Sequence, residues 1–241
     1  MPISKRLRTA LHAAVALLPS ALKKPIYRHA FGFKIAADAR IGLSVLDVDH
    51  LELGAGARIG HGNLLTQTHA VRLGEGAEIG YGNILRGGDR IELGRHATVL
   101  RFNVLNSIPD NDATGPTDPT LQLGDGSTVV SGHRLDFTDR VRIGKNVIIA
   151  GRNSSLWTHN RQATKPIEIG DYCYLGSEVR VAPGSSIGEL SILGMGGVLV
   201  GEAAARTVLG GVPAKPIRAI TAEDEATLRK KTKPSIPEDL Y

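Results

Sequence analysis

The chain has 241 residues, one cysteine, 29 glycines and an aromatic share of only 4%. A single cysteine excludes an internal disulfide and fits a reducing compartment, and so few rings favour a thin core of branched aliphatics. The formal charge of +5 is unevenly spread: Lys5, Arg6, Arg8, Lys23, Lys24, Arg28 and Lys34 all precede the first acid, Asp38, so residues 1–37 carry +7 and the remainder about −2.

Residues 2–30 read as one or two helices broken at Pro19 and Pro25. The basic charges flank an apolar run, residues 10–18, that is too short to span a bilayer. Such a segment suits a cap over the open end of a repeat structure, which has a core and a strand edge to cover. Residues 1–30 could also make a peripheral contact with an anionic membrane surface. The expected location is cytoplasmic, with that contact at the inner membrane face.

From Ile35 a period takes over. Aliphatics precede Gly or Ala at Ile35, Leu53, Leu73, Leu93, Leu123, Ile143, Ile169 and Ile187. Six residues after each comes a second aliphatic (Ile41, Ile59, Ile79, Val99, Val129, Ile149, Leu175, Leu193). A third follows in most coils (Leu65, Leu85, Leu105, Leu135, Val181, Leu199), and small residues such as Ala57, Ala77, Ala97, Ser127 and Cys173 stand four places after the first. Three hexapeptides make one triangular coil, and stacked coils pair their strands in parallel around a narrow core. The predicted fold is all-β, a parallel β-helix of about eight coils, on the order of 38 Å long at about 4.8 Å per coil.

Successive first positions are 18, 20, 20, 30, 20, 26 and 18 residues apart. The surplus over 18 mostly leaves from one edge of the prism, as two loops, residues 106–120 and 152–166, with one coil between them. Long loops confined to one edge mark that edge as the functional candidate. Residues 106–120 read as a solvated wall, and residues 152–166 hold the only Trp, Trp157, with His159 two places on.

Asn63, Asn83 and Asn103 recur every 20 residues, and His133 and Asn153 continue the column. The three asparagines read as an internal amide ladder. His133 and Asn153, beside the long loops, are equally open as ladder or acceptor-binding groups. Cys173 occupies the small inward position, which makes it a packing residue. The chain is expected to divide into a basic helical cap (1–34), the β-helix (35–218), and a C-terminal helix and tail (219–241). That helix is expected from Thr221 to about residue 231, with acids first and bases last to match its dipole, ended by Pro234.

The wording of the last third adds more. Trp157-Thr158-His159, then Lys165-Pro166-Ile167-Glu168-Ile169-Gly170-Asp171, then Gly210-Gly211-Val212-Pro213-Ala214-Lys215-Pro216-Ile217-Arg218 resembles the hexapeptide-repeat, left-handed β-helix acyltransferases. These include maltose and galactoside O-acetyltransferases and similar enzymes of polysaccharide biosynthesis. The resemblance covers about residues 120–220, and the ending Gly-Val-Pro-Ala-Lys-Pro-Ile-Arg is its most specific part. It implies an acetyl-CoA-dependent O-acetyltransferase that needs no metal and works as a homotrimer, with active sites between neighbouring prisms. The acceptor so implied carries a sugar hydroxyl, and the basic, partly apolar N-terminus points to a nucleotide-sugar or a lipid-linked glycan precursor near the membrane face; no nucleic-acid partner is expected.

Carried over by position, His159 is the general base and Asp136 the acid that steadies it or binds the acceptor. His133, Asn153 and Trp157 are the acceptor-side candidates. Ser177 and Met195 match contacts along the pantetheine groove, and Lys215 and Arg218 match cations that meet the nucleotide phosphates. Val200-Gly201 stand where relatives often carry Thr-Lys, and Met195 where they often carry Ala. An imidazole suits the task, because a hydroxyl is a weak nucleophile near pH 7 and general-base help is worth about 10²–10⁴-fold. The alternatives are an N-acyltransferase acting on an amino sugar and a non-catalytic β-helix scaffold. A zinc enzyme of the same fold would need a His pair five residues apart, which the sequence lacks.

Overall fold

A computed structural model describes residues 5–108 and 115–230. Short strands alternate with tight turns from Lys34 to Ala219 and stack into three sheets, here called A, B and C, of nine, ten and eight strands among the described residues. Among the described residues every pairing between these strands is parallel except the last, where Ala214–Ala219 turns back antiparallel on Thr207–Gly211. This is the β-helix that the period predicts, and the predicted register holds: Leu53 pairs with Leu73, Leu73 with Leu93, Leu93 with Leu123 and Ile143 with Ile169. Ala203 and Leu209 extend the inward columns of sheets A and B beyond Ile187 and Leu193.

The core is a stack of aliphatic rungs. Leu46, Leu65, Leu85, Leu105, Leu135, Leu156, Val181 and Leu199 form the buried column of sheet C. Burying one such side chain is worth about 1.5–3 kcal/mol, and the rungs repeat that gain along the prism. Where coils approach most closely the backbone needs glycine: a Cβ on Gly80 would sit 2.0 Å from the Leu100 carbonyl oxygen.

At the open end, helix α1 (Lys5–Ala16) and helix α2 (Ser20–Ala30) cover the first coil. Their cations are fasteners. The Lys23 ammonium is buried and donates to the carbonyls of Ala16 and Gly42, both at 2.8 Å. Lys24 donates to the Ala37 carbonyl at 2.6 Å, and Arg28 to that of Ile35 at 2.6 Å. Apart from that of Ala16, which ends α1, these are carbonyls of the first coil, where no preceding coil supplies amides. His12, Tyr27, Phe31 and Phe33 fill the space beneath as a ring cluster.

Four sequence-based expectations change. Pro25 does not break the helix, because α2 runs through it with the proline on the exposed side, while Lys23 and Tyr27 anchor the buried side. Residues 152–166 are not one loop: Ser155–Trp157 is a strand of sheet C, paired with Arg134–Asp136. The ladder passes from His133 to Ser154, not to Asn153, which sits at φ +61° in an exposed turn. The C-terminal helix, α3, is shorter than expected, Ala222–Leu228, with Thr221 and Asp224 forming a reciprocal cap. Pro234 and the tail lie outside the described residues, as do residues 109–114 of the first loop.

Candidate active site

The ladder comes first, because it decides the fate of two candidates. Asn63 Oδ1 accepts the Asn83 amide at 2.9 Å, Asn83 Oδ1 accepts that of Asn103 at 3.0 Å, and Asn103 Oδ1 accepts that of His133 at 2.9 Å. His133 Nδ1 in turn accepts the Ser154 amide at 3.1 Å. His133 is therefore a ladder rung, 1% exposed, and burial pulls its pKa down to about 4. An acceptor at the prism surface does not reach this ring, so the structure corrects its assignment as an acceptor-binding group. Asn153 lies beside the ladder on the corner between sheets B and C.

The two excursions leave from the corner between sheets C and A. The second is compact. Lys165 donates its amide to the Thr158 carbonyl at 2.8 Å, and a bridge joins His159 to Thr164. Asn160 closes the tip, its Oδ1 accepting the amides of Gln162 at 2.8 Å and Ala163 at 2.9 Å, a turn chemistry typical of asparagine. His159 thus stands on a short, internally bonded finger and is part-exposed. With Ile108, Asn160 and Arg161 it lines a shallow pocket of about 370 Å³.

Asp136 is buried at the base of this finger. Its carboxylate accepts the Thr138 amide at 3.1 Å and the Thr158 hydroxyl at 2.9 Å. The same Thr158 oxygen accepts the Asp139 amide at 3.0 Å. Asp139 carries the thread to the first loop, its Oδ1 accepting the Asp118 amide at 3.1 Å, while Thr138 Oγ1 accepts the Ile108 amide at 3.1 Å. Both excursions are thus tied to one buried Asp–Thr unit. Asp136 is 1% exposed, and its side-chain partner Thr158 is the residue preceding His159. Sequence reading missed Thr158, Thr138 and Asp139, whose threonine and aspartate types resemble ordinary loop composition.

Trp157 belongs to sheet C, not to a loop, and the Arg134 guanidinium lies over its ring at 5.1 Å. This cation–π contact leaves Trp157 half-buried at the root of the finger.

The donor-side candidates fall elsewhere. Ser177 and Met195 lie on the corner between sheets B and C, the opposite border of sheet C from His159. The Gly196 amide donates to the Ser177 carbonyl at 2.9 Å, and Met195 is 78% exposed. A Cβ at Gly151, which sits at φ +64°, would fall 1.7 Å from Ser177 Oγ, so a side chain there would displace that hydroxyl. Lys215 and Arg218 lie on the terminal hairpin of sheet B, which contains a cis Val212–Pro213 bond. Lys215 is exposed, but Arg218 forks onto the Asp224 carboxylate, with one bond at 3.1 Å, and holds that acid well below the ordinary carboxylate range. Cys173 is buried, donating to the Gly188 carbonyl at 3.2 Å, and burial pushes its thiol up to about 12, as suits a packing residue. Among the described residues no group of three His, Cys, Asp or Glu side chains could hold a metal ion.

The architecture is that of the hexapeptide-repeat transferases with a left-handed β-helix. LpxA from Acinetobacter baumannii superposes with a TM-score of 0.62 at 16% identity, over 83% of this chain and 74% of that one. A UDP-N-acetylglucosamine acyltransferase from Campylobacter jejuni gives 0.52 at 14% identity, over 81% of each chain. No family model matches the chain.

Relatives by sequence carry acetyltransferase names. One from Schizosaccharomyces pombe is 45% identical over 131 residues, 49% of this chain and 63% of its own length. One from Saccharomyces cerevisiae is 31% identical over 115 residues, 42% and 58% of the two chains. The galactoside O-acetyltransferase of Escherichia coli is 29% identical over 102 residues, 41% and 50%. The chain therefore spans between half and just under two thirds of the length of these curated relatives. The resemblance read from the motifs is met by named relatives and by the fold alike.

Proposed function

We propose that the protein transfers an acetyl group from acetyl-CoA to a hydroxyl of a sugar or glycan precursor, with His159 as general base. The observation that carries this reading is the finger itself. A histidine is held on a short bonded turn over a pocket at the edge from which both long excursions leave. The acetyltransferase names of its relatives favour the same chemistry.

In the reaction, His159 takes the acceptor hydroxyl proton as that oxygen attacks the thioester carbonyl carbon. Collapse of the tetrahedral adduct breaks the C–S bond, and the proton leaves with the CoA thiolate. Asp136 acts as a positioning residue through Thr158, and Arg161 and Asn160, which line the same pocket, would meet the acceptor. The thioester is reactive enough that the step asks for no metal.

Ser177 and Met195 border sheet C on the side away from His159. That separation favours an active site shared between neighbouring prisms, with the donor groove of one copy facing the finger of the next, as in a homotrimer. Lys215 would meet the CoA phosphates directly, while Arg218 would do so only by giving up Asp224.

The test is CoA release from acetyl-CoA with a pool of sugar, nucleotide-sugar and amino-sugar acceptors, comparing wild type with His159→Ala. Acceptor-dependent release that falls by about 10²-fold or more in the variant supports the reading. Release that survives the mutation removes His159 as base. A folded protein that neither binds CoA nor releases it is instead a scaffold.

A further inference from the structure

Helix α1 is inside out. The side that faces the prism carries its polar groups: Arg8 pairs with Asp47 at 2.6 Å and with Asp49 at 2.6 Å, Thr9 bonds Asp47, and His12 is buried, with only Val15 and Ala16 adding apolar contact at the C-terminal end. Its solvent side is apolar. Leu7, Ala10, Leu11 and Ala14 are all exposed, as is Leu17 in the turn just after the helix, with Leu7 at 53%, Leu11 at 41% and Leu17 at 76%. Steps of three and four place the helical ones along one face, and Leu17 continues their spacing past the helix end. On α2, Leu22 adds to the same end of the molecule at 57%. A surface helix ordinarily does the reverse, and a contiguous exposed apolar stripe marks a docking surface.

Charge selects the occupant. Residues 1–37 hold seven cations and no acid; Arg8 is matched by Asp47 and Asp49, which leaves six, and Lys5 and Arg6 directly precede Leu7. Lys23, Lys24 and Arg28 are satisfied by main-chain carbonyls, which bond them without cancelling their charge. A second copy of the cap would bring like charge against like charge. An anionic lipid surface would attract the same charges while its acyl boundary accepts the leucines. We propose that α1 lies in the plane of an anionic bilayer surface with its Leu7–Leu11–Leu17 stripe at the headgroup boundary. The early coils then face the lipid.

The experiment is flotation of the full-length protein with phosphatidylcholine vesicles, with or without about one third phosphatidylglycerol. The double variant Leu11→Asp/Leu17→Asp is run beside wild type, with light scattering and thermal unfolding as controls. Binding to the anionic vesicles, weakened at least about 10-fold in a variant of unchanged mass and stability, is the expected result. Equal binding to neutral vesicles, no binding at all, or binding unchanged in the variant overturns the proposal. A drop in assembly mass in the variant also overturns it, since the stripe would then be a contact between copies.

Discussion

The Thr158 hydroxyl donates to the Asp136 carboxylate at 2.9 Å, one residue before His159. Both groups are buried, and the Asp139 amide depends on the same oxygen. The root of the finger is therefore a closed polar unit, in which each member satisfies another.

Replacing Thr158 with Val is expected to destabilise the protein by about 1–3 kcal/mol, because it leaves a buried carboxylate and a buried amide short of a partner. Replacing it with Ser should restore most of that stability. Urea melts check both. On the proposed reaction, kcat in T158V should fall more than KM rises, since the acceptor touches the finger but not the threonine.

His133 predicts an acid sensitivity. Its pKa of about 4 in the fold lies below the ordinary value of 6.5, with desolvation the leading cause. The unfolded chain therefore takes up a proton that the folded chain refuses. Stability is full above pH 6.5, falls as pH drops toward about 4, and loses nothing more from this residue below that. A gap of this size corresponds to about 3 kcal/mol. His133→Asn keeps a ladder acceptor for the Ser154 amide and should flatten the slope in that window. A smaller slope should remain from His12, whose pKa burial also lowers.

Cys173 should be inert. A buried thiol pushed up to about 12 carries almost no thiolate at neutral pH, so a thiol reagent should label it only after denaturation. Cys173→Ala places the residue that other coils carry at Ala57, Ala77 and Ala97. It should leave acetyl transfer within about two-fold of wild type, whereas a loss of 10²-fold would point to a thiol nucleophile and an acyl-enzyme.

Lys215 and Arg218 should separate. Lys215→Ala is expected to raise KM for acetyl-CoA about 10-fold at unchanged stability, as for loss of one charge-assisted phosphate bond. Arg218→Ala frees Asp224, which also caps α3. Its first readout should be loss of α3 helicity. A pure KM effect would show that the arginine leaves Asp224 for the nucleotide.

Much of this molecule could be read from its sequence, because a solenoid makes local period and global register the same thing. Each coil packs only on its neighbours, so an aliphatic that recurs after one coil must stack on its predecessor. Leu53, Leu73, Leu93 and Leu123 pair as their spacing says they should. Leu156 escaped because its coil holds one extra residue at the turn around Asn153. The rung from His133 therefore lands 21 residues on, at Ser154. The same insertion disguised the strand Ser155–Trp157 as loop.

By itself the sequence determined the β-helix, its inward columns, the early amide ladder and the edge from which the excursions leave. It also brought out His159 through the wording around it. Only the tertiary structure decided that His133 is sealed inside, that Asp136 is buried against Thr158, and that His159 and Met195 border opposite sides of sheet C. Only it decided that α1 turns its leucines outward. The division has a physical cause. Period follows from the geometry of one coil repeated, whereas burial and side-chain partnership depend on what lies above, below and across. A single substitution or insertion in a neighbouring coil changes those without changing the period.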